Sequence, residues 1–340
     1  MSSADKQPAG ALTRFSTDHN PALSGFSTRD IVAELIARTL PGDTADTQEL
    51  AFLGHKLARN LSRFTDVFLN RHSACQVSVI FRELARSPLA PPLQIEGKTW
   101  VELGCGSTNP FAFSFVLLAL GATKAVPIDL EPIHDFDEAY RTVADIAKQL
   151  LVDPAHVVGV DSAISRQAIL ENIADFDLAE LGRGSPKGLS PRLSYRNESV
   201  YSMTVPPSSV DVVVSNAFLE HVPDPEAAVS SIAEITKPGG YGIHIIDMID
   251  HRSYGHQDFG PLEFLKIKSD EKLVHGCNRL RPREFVDVFE QNGFEVLDLS
   301  LCNPVVLSDT DRKQFVPPWQ QMALDDLRHT CLKIAVRRRD

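Results

Sequence analysis

What this 340-residue chain lacks narrows its function first. Its five cysteines (Cys75, Cys105, Cys277, Cys302 and Cys331) are scattered, odd in number and form no C-x-x-C pair. That argues against a disulfide framework and a structural zinc site, and it fits a reducing cytoplasm. No apolar run approaches the roughly 18 residues of a membrane span, and the start MSSADKQPAG is polar, unlike a secretory leader. A basic excess is missing as well: 34 Lys and Arg stand against 45 Asp and Glu, a net charge of −11 that repels polyphosphate. Neither a membrane nor a nucleic acid is therefore an expected partner, a local basic patch aside. Neither an internal repeat nor a heptad array is visible. What remains is ordinary globular composition, 43% hydrophobic and 23% charged, in a chain longer than the usual single domain.

The chain is organised around Thr99 to Pro132, TWVELGCGSTNPFAFSFVLLALGATKAVPIDLEP. Trp100, Val101 and Leu103 make a short buried strand, and Gly104-Cys105-Gly106 lets the backbone turn tightly against a ligand. Pro110 suits a helix start, Phe111 to Leu120 supplies the apolar helix, and Gly121 ends it. Ala125 to Ile128 is the next strand, with Asp129 at its carboxyl end. In an open α/β sheet that end faces the ligand crevice, where a carboxylate accepts ribose hydroxyls. A dinucleotide fold would want a third glycine where Asn109 stands, so that pattern fails. Glu102, instead, precedes the turn within E-L-G-C-G-S.

A second informative stretch runs from Val210 to Gly240, VDVVVSNAFLEHVPDPEAAVSSIAEITKPGG. It reads as a buried strand, Ser215-Asn216 leaving it at the crevice, a helix opened by Pro225, and a turn into the strand Tyr241 to Ile246. With E-L-G-C-G-S ahead of it, "LEHV" and "KPGG" resemble the class I S-adenosylmethionine-dependent methyltransferases of the small-molecule type. The resemblance covers about residues 97–247 and, more loosely, the rest to the C-terminus. It implies a Rossmann-like, seven-stranded α/β sheet, mostly parallel with one antiparallel strand, and S-adenosylmethionine as cofactor.

The same resemblance implies roles for residues. Glu102 and Gly104 contact the methionine end of the cofactor, with Gly106 allowing close approach, and Asp129 takes the ribose hydroxyls. Glu198 matches the position that accepts from the adenine amine, beside the Ser199 amide, although aspartate is usual there. Asn216 and Phe218 lie near the methionine portion. His221 and His251 are the candidates for proton transfer, the former better read as a cofactor contact. A metal at His244, Asp247, Asp250 and His251 is not expected, because strand alternation turns His244 away from the loop. Ser-Asn-Ala-Phe at 215–218 departs from the motif of enzymes that methylate planar amino nitrogens.

The expected domains are an N-terminal helical lid or packing element over 1–95 and the methyltransferase domain over 96–340. Insertions are expected at 131–193 and 250–280. The first should hold two helical stretches, Phe136 to Leu151 and Ser162 to Leu181, then a flexible GRGSPKGLSPR segment. The expected function is methyl transfer to a small molecule in specialised or sugar metabolism, by a homodimer. Two alternatives stay open. One is use of the cofactor's amino acid arm, by aminocarboxypropyl transfer or closure to azetidine-2-carboxylate, releasing methylthioadenosine. The other is a non-catalytic, cofactor-binding regulatory protein.

Overall fold

The computed structural model describes residues 94–152, 154–158, 165–254 and 258–340, all within the compact unit Ser73–Asp340. Apart from its last two residues, the N-terminal helical section expected over 1–95 lies outside the described residues.

Short apolar strands alternate with helices, and that pattern builds a parallel sheet whose two faces are both covered. The strands are β1 (Thr99–Leu103), β2 (Lys124–Asp129), β3 (Arg196–Asn197), β4 (Val210–Asn216), β5 (Thr236–Asp247), β6 (Phe294–Pro304) and β7 (His329–Arg338). They lie in the order β3-β2-β1-β4-β5-β7-β6. The first five are parallel neighbours, and β7 runs antiparallel between β5 and β6. This is the Rossmann-like methyltransferase sheet that the sequence implies. Side-chain alternation splits the core in two. Trp100, Val212 and Val214 face one layer, whereas Val101, Val213 and Leu103 face the other.

The first layer is capped by helix α1 (Ala112–Ala119), every residue of which is buried, and by α2 (Phe136–Val152) from the insertion. A short α3 (Pro154–Val158) follows. The expected single helix over 162–181 is two, α4 (Arg166–Asn172) and α5 (Leu178–Gly182). Ser165 Oγ caps the first, and Asp177 Oδ1 accepts the Ala179 and Glu180 amides to start the second. A side chain that satisfies free N-terminal amides favours a new helix over continuation of the old one.

The GRGSPKGLSPR segment is packed, which corrects the expectation of flexibility. Arg192 binds Asp175, Asn172 O and Ala122 O, and a Cβ at Gly188 would collide with Asp177 O and Leu181. Val143, Ile146, Ile169 and Leu181 share the core with α1, and Asn172 Nδ2 donates to Ala119 O at 3.0 Å. The insertion is thus a layer of the fold.

On the other face lie α6 (Pro225–Ile235) and α7 (Pro282–Gln291). Strand β5 begins at Thr236, earlier than expected. The ladder to β4 jumps from Val210↔Thr236 to Val212↔Tyr241, so Lys237 to Gly240 bulge outward, with Gly239 at φ +71. Beyond β5 a smaller core of Leu262, Phe264, Leu265, Val274, Phe315, Trp319 and Leu327 forms under the second insertion and the α8 (Asp309–Arg312) and α9 (Leu324–Arg328) region. The buried Arg281 ties it to the sheet, donating to the carbonyls of Met248 (2.8 Å), Leu327 (2.9 Å) and His329. No described helix is long and apolar enough to cross a membrane.

Candidate active site

Crossovers from β1 run to β2 and β3 on one side, while the chain returns on the other side at β4 and β5. The reversal opens a crevice at the carboxyl ends of β1 and β4, the general ligand position in such sheets. The glycine turn is anchored there. Gly104 N–H donates to Ile128 O at 2.9 Å, and Gly106 N–H donates to Asp129 Oδ2 at 2.7 Å. Asp129 Oδ1 accepts the Glu131 amide at 2.9 Å. Gly104 and Gly106 both have positive φ, +73 and +77, where a side chain is strained. They differ in surroundings: a Cβ on Gly104 would lie 2.7 Å from the Phe218 ring, whereas one on Gly106 meets nothing within 4 Å.

Beneath the turn, the Glu102 carboxylate accepts from Ser114 Oγ at 2.9 Å. Desolvation pushes its pKa up to about 8 despite that hydrogen bond. Burial, with Glu102 and Asp129 close by, also holds the Cys105 thiol protonated, so it is no nucleophile at neutral pH. β3 brings up the next residues: Glu198 N–H donates to Asp129 O at 3.1 Å, and Asn197 Nδ2 to Asp129 O and Leu130 O at 2.9 Å each. The Glu198 carboxylate is occupied within the chain, accepting from Thr204 N at 2.8 Å and Thr204 Oγ1 at 2.5 Å. Partial burial raises its pKa, but the Thr204 bonds and Arg196 outweigh it and hold the group below the usual range. Ser199 Oγ caps the turn at Val200–Ser202. Asn216 ends β4, and Ala217 after it sits at φ +49, donating its amide to Ile245 O.

A second polar cluster lies past the carboxyl ends of β4 and β5. His221 and His251 meet there edge to face, with ring centroids 4.9 Å apart. His221 Nδ1 lies 2.8 Å from Gly276 O. A carbonyl only accepts, so Nδ1 carries the proton and Nε2 of the neutral ring keeps a lone pair. Glu220 is buried beside it, and burial raises its pKa to about 8. Asp247 accepts from the Tyr254 hydroxyl and the Ile249 amide. Asn278 orders the Leu219–Val222 turn by donating to Leu219 O (2.7 Å) and Val222 O (3.1 Å). His244, by contrast, is core. It bonds Ser215 Oγ at 2.8 Å and stacks on Phe289, and burial lowers its pKa to about 3.

Residues 71–299, most of the chain, match the family described as "Methyltransferase domain". The chain belongs to that family. Its cofactor is S-adenosylmethionine, and it is a transferase of the class I, Rossmann-like kind. Among curated proteins it resembles a ubiquinone biosynthesis O-methyltransferase of Vibrio atlanticus, 28% identical over 106 residues, 31% of this chain and 44% of that protein. The namesake of Nitrosospira multiformis is 29% identical over 121 residues, 33% of this chain and 51% of that one. The chain thus spans about half the length of the curated relatives it matches. A solved S-adenosylmethionine-dependent methyltransferase of Methanosarcina mazei aligns with a TM-score of 0.42 at 16% identity, over 74% of this chain and 98% of that one.

The crevice fits the family's cofactor. Open space at Gly106, the Asp129 carboxylate beside it and the Glu102 carboxyl below suit a close-approaching ligand with a ribose diol and an ammonium group. Glu102, Gly104, Gly106, Asp129 and Glu198 are brought to one wall, with Asn216 on the neighbouring strand end. Glu220, Asn278 and the 276–277 turn had no part in the sequence-based site. A carboxylate inside the apolar run F-L-E-H-V was the one available signal.

Proposed function

We propose that this protein is a small-molecule O-methyltransferase of the "LEHV…KPGG" type that methylates a hydroxyl group. S-adenosylmethionine supplies an electrophilic methyl on a sulfonium, so the chain's own task is to orient the acceptor and take its proton. Glu102, Gly104 and Gly106 would receive the methionine end, Asp129 the ribose, and Glu198 with the Ser199 amide the adenine edge. Asn216 lines the sulfonium side. The carrying observation is the His221 ring, whose Nδ1–H is fixed on Gly276 O and whose Nε2 keeps its lone pair 3.9 Å from Glu220 Oε1, with the His251 ring against it. That nitrogen is suited to accept the hydroxyl proton, and His251 lines the same wall. The O-methyltransferase names of the relatives support a hydroxyl acceptor. Specialised metabolism and a cytoplasmic location belong to the same reading.

The test is product analysis by mass spectrometry with S-adenosylmethionine and a panel of small hydroxylated aromatics. The expected products are a methyl ether and S-adenosylhomocysteine, with little turnover when the acceptor is left out. His221→Ala should lower kcat by about 10²–10⁴-fold. Rapid release of methylthioadenosine without acceptor would refute methyl transfer and favour attack on the amino acid arm.

A further inference from the structure

Cys302 on β6 and Cys331 on β7 stand directly opposite one another in the antiparallel ladder. Opposed side chains share a face of the sheet, and Cys331 packs there against the core layer of Ile243, Ile245 and Ala335. Opposed residues of such a pair hold their Cα atoms roughly 4.5–5.5 Å apart, inside the span of about 4.4–6.8 Å that a disulfide accepts. Their Cβ atoms are also roughly 4.5–5.5 Å apart, whereas a disulfide draws them to about 3.5–4.5 Å, so closure brings the strands together by about 1 Å. Both thiols are free and half-buried, within reach of a small reagent. The other two described cysteines have no cysteine opposite: Cys105 lies in the glycine turn, and Cys277 is buried and bridges Val274. β6 is the edge strand, so Cys302 is the thiol open to the outside, whereas Cys331 sits between two strands. Burial, and after it the neighbouring Cys302, push the Cys331 thiol up to about 12. On its other side Cys331 is opposite Asp247 of β5, the carboxylate that holds the Tyr254 hydroxyl.

We propose that Cys302 and Cys331 form a reversible dithiol–disulfide site, oxidised by a low-molecular-weight disulfide of the glutathione kind. The Cys302 thiolate attacks one sulfur of oxidised glutathione, whose S–S bond breaks, and the first glutathione leaves as a thiolate that takes up a proton. The Cys331 sulfur, losing its proton to solvent, then attacks Cys302 Sγ and expels the second glutathione. Two protein thiols are thereby oxidised to one cystine, and one oxidised glutathione is reduced to two thiols. The order follows from place and acidity. The thiolate is the nucleophile, so the outer Cys302 opens the exchange, and the shielded, weakly acidic Cys331 resolves it. Because closure strains the ladder, the bridge is readily reduced again, unlike a structural disulfide. The site lies one strand from Asp247 and the acceptor cluster, yet it depends on neither methyl transfer nor the identity of the acceptor.

The test is incubation of the full, folded chain with oxidised glutathione, followed by thiol counting, intact mass and peptide mapping. The reduced chain has five thiols. Two should be lost, with the mass falling by two hydrogens and one bridge linking Cys302 to Cys331. An excess of reduced glutathione should restore all of them. Cys331→Ser should stop at one glutathione held on Cys302, and Cys302→Ser should react at least about tenfold more slowly than the parent. Circular dichroism of both variants, expected to match the parent, keeps loss of fold apart from loss of the partner thiol. Persistence of every thiol in the parent, a bridge from Cys302 to any other cysteine, or a bridge that survives excess reduced glutathione would each overturn the assignment. So would a folded Cys331→Ser chain that carries its glutathione elsewhere than on Cys302.

Discussion

Replacing Gly106 by alanine separates a ligand-facing turn from a merely structural one. Its φ of +77 costs an L-residue roughly 1–2 kcal/mol, by the clash of Cβ with the following carbonyl. Nothing lies within 4 Å of the new methyl, so no packing penalty adds to that. Gly104→Ala carries the same backbone cost, and its Cβ would lie 2.7–3.0 Å from three atoms of Phe218. Pushing that ring aside adds about 1–3 kcal/mol, as overpacking generally does. Urea denaturation should therefore find Gly106→Ala the milder variant by about 1–3 kcal/mol. Titration with S-adenosylhomocysteine should find it folded yet at least about tenfold weaker, because the methyl projects into the space the cofactor needs. Full affinity in a folded Gly106→Ala chain would refute the assignment of that space to the cofactor.

Three further outcomes follow from the geometry. Glu102, with its pKa up to about 8, holds a proton in the free protein at neutral pH, whereas binding an ammonium group calls for the carboxylate. Cofactor affinity should strengthen as pH rises from about 6 towards 8, with proton release visible as buffer-dependent binding heat, and Glu102→Gln should abolish both. The same raised pKa favours the folded state most below the unfolded value of 4.5, and that contribution is lost as pH climbs through 8; Glu102→Gln should flatten this part of the stability profile in denaturant melts. Arg281→Met leaves three carbonyls, two of them in buried bonds, without their donor and should cost about 3 kcal/mol or more in urea denaturation, with unchanged secondary structure by circular dichroism.

The parts of this fold that were legible in the sequence are those whose cause is local. A strand of Trp100, Val101 and Leu103, two glycines that tolerate positive φ, and a carboxylate at Asp129 lie within thirty-one residues (99–129), and the structure places them as their spacing implies. Pro225 and Gly293 punctuate helices for equally local reasons. The break between α4 and α5 was hidden because Asp177 acts as a cap only through its side-chain rotamer. The packed 182–192 segment looked loose because glycine, serine and proline signal turns but not what those turns rest on; Asp175 and Arg192 supply that support from outside the periodic pattern. The second cluster was least legible. It joins the end of β4, the end of β5 and a turn 55 residues from His221, and no stretch of chain carries all three. Glu198 shows the same limit in miniature: its position at the end of β3 was readable, but not that Thr204 takes both its oxygens.

The central claim is that the crevice at the ends of β1, β2 and β4 holds S-adenosylmethionine, with Asp129 on its ribose. Calorimetric titration of S-adenosylhomocysteine into the parent chain and into Asp129→Ala tests it directly. The carboxylate accepts the Gly106 amide and would accept the ribose hydroxyls, so losing it should cost about 1.5–3 kcal/mol of binding, roughly ten- to a hundredfold. Saturable micromolar binding by the parent, weakened to that extent in the variant, is the predicted result. Binding that is absent from the parent, or equal in both chains, would contradict the account.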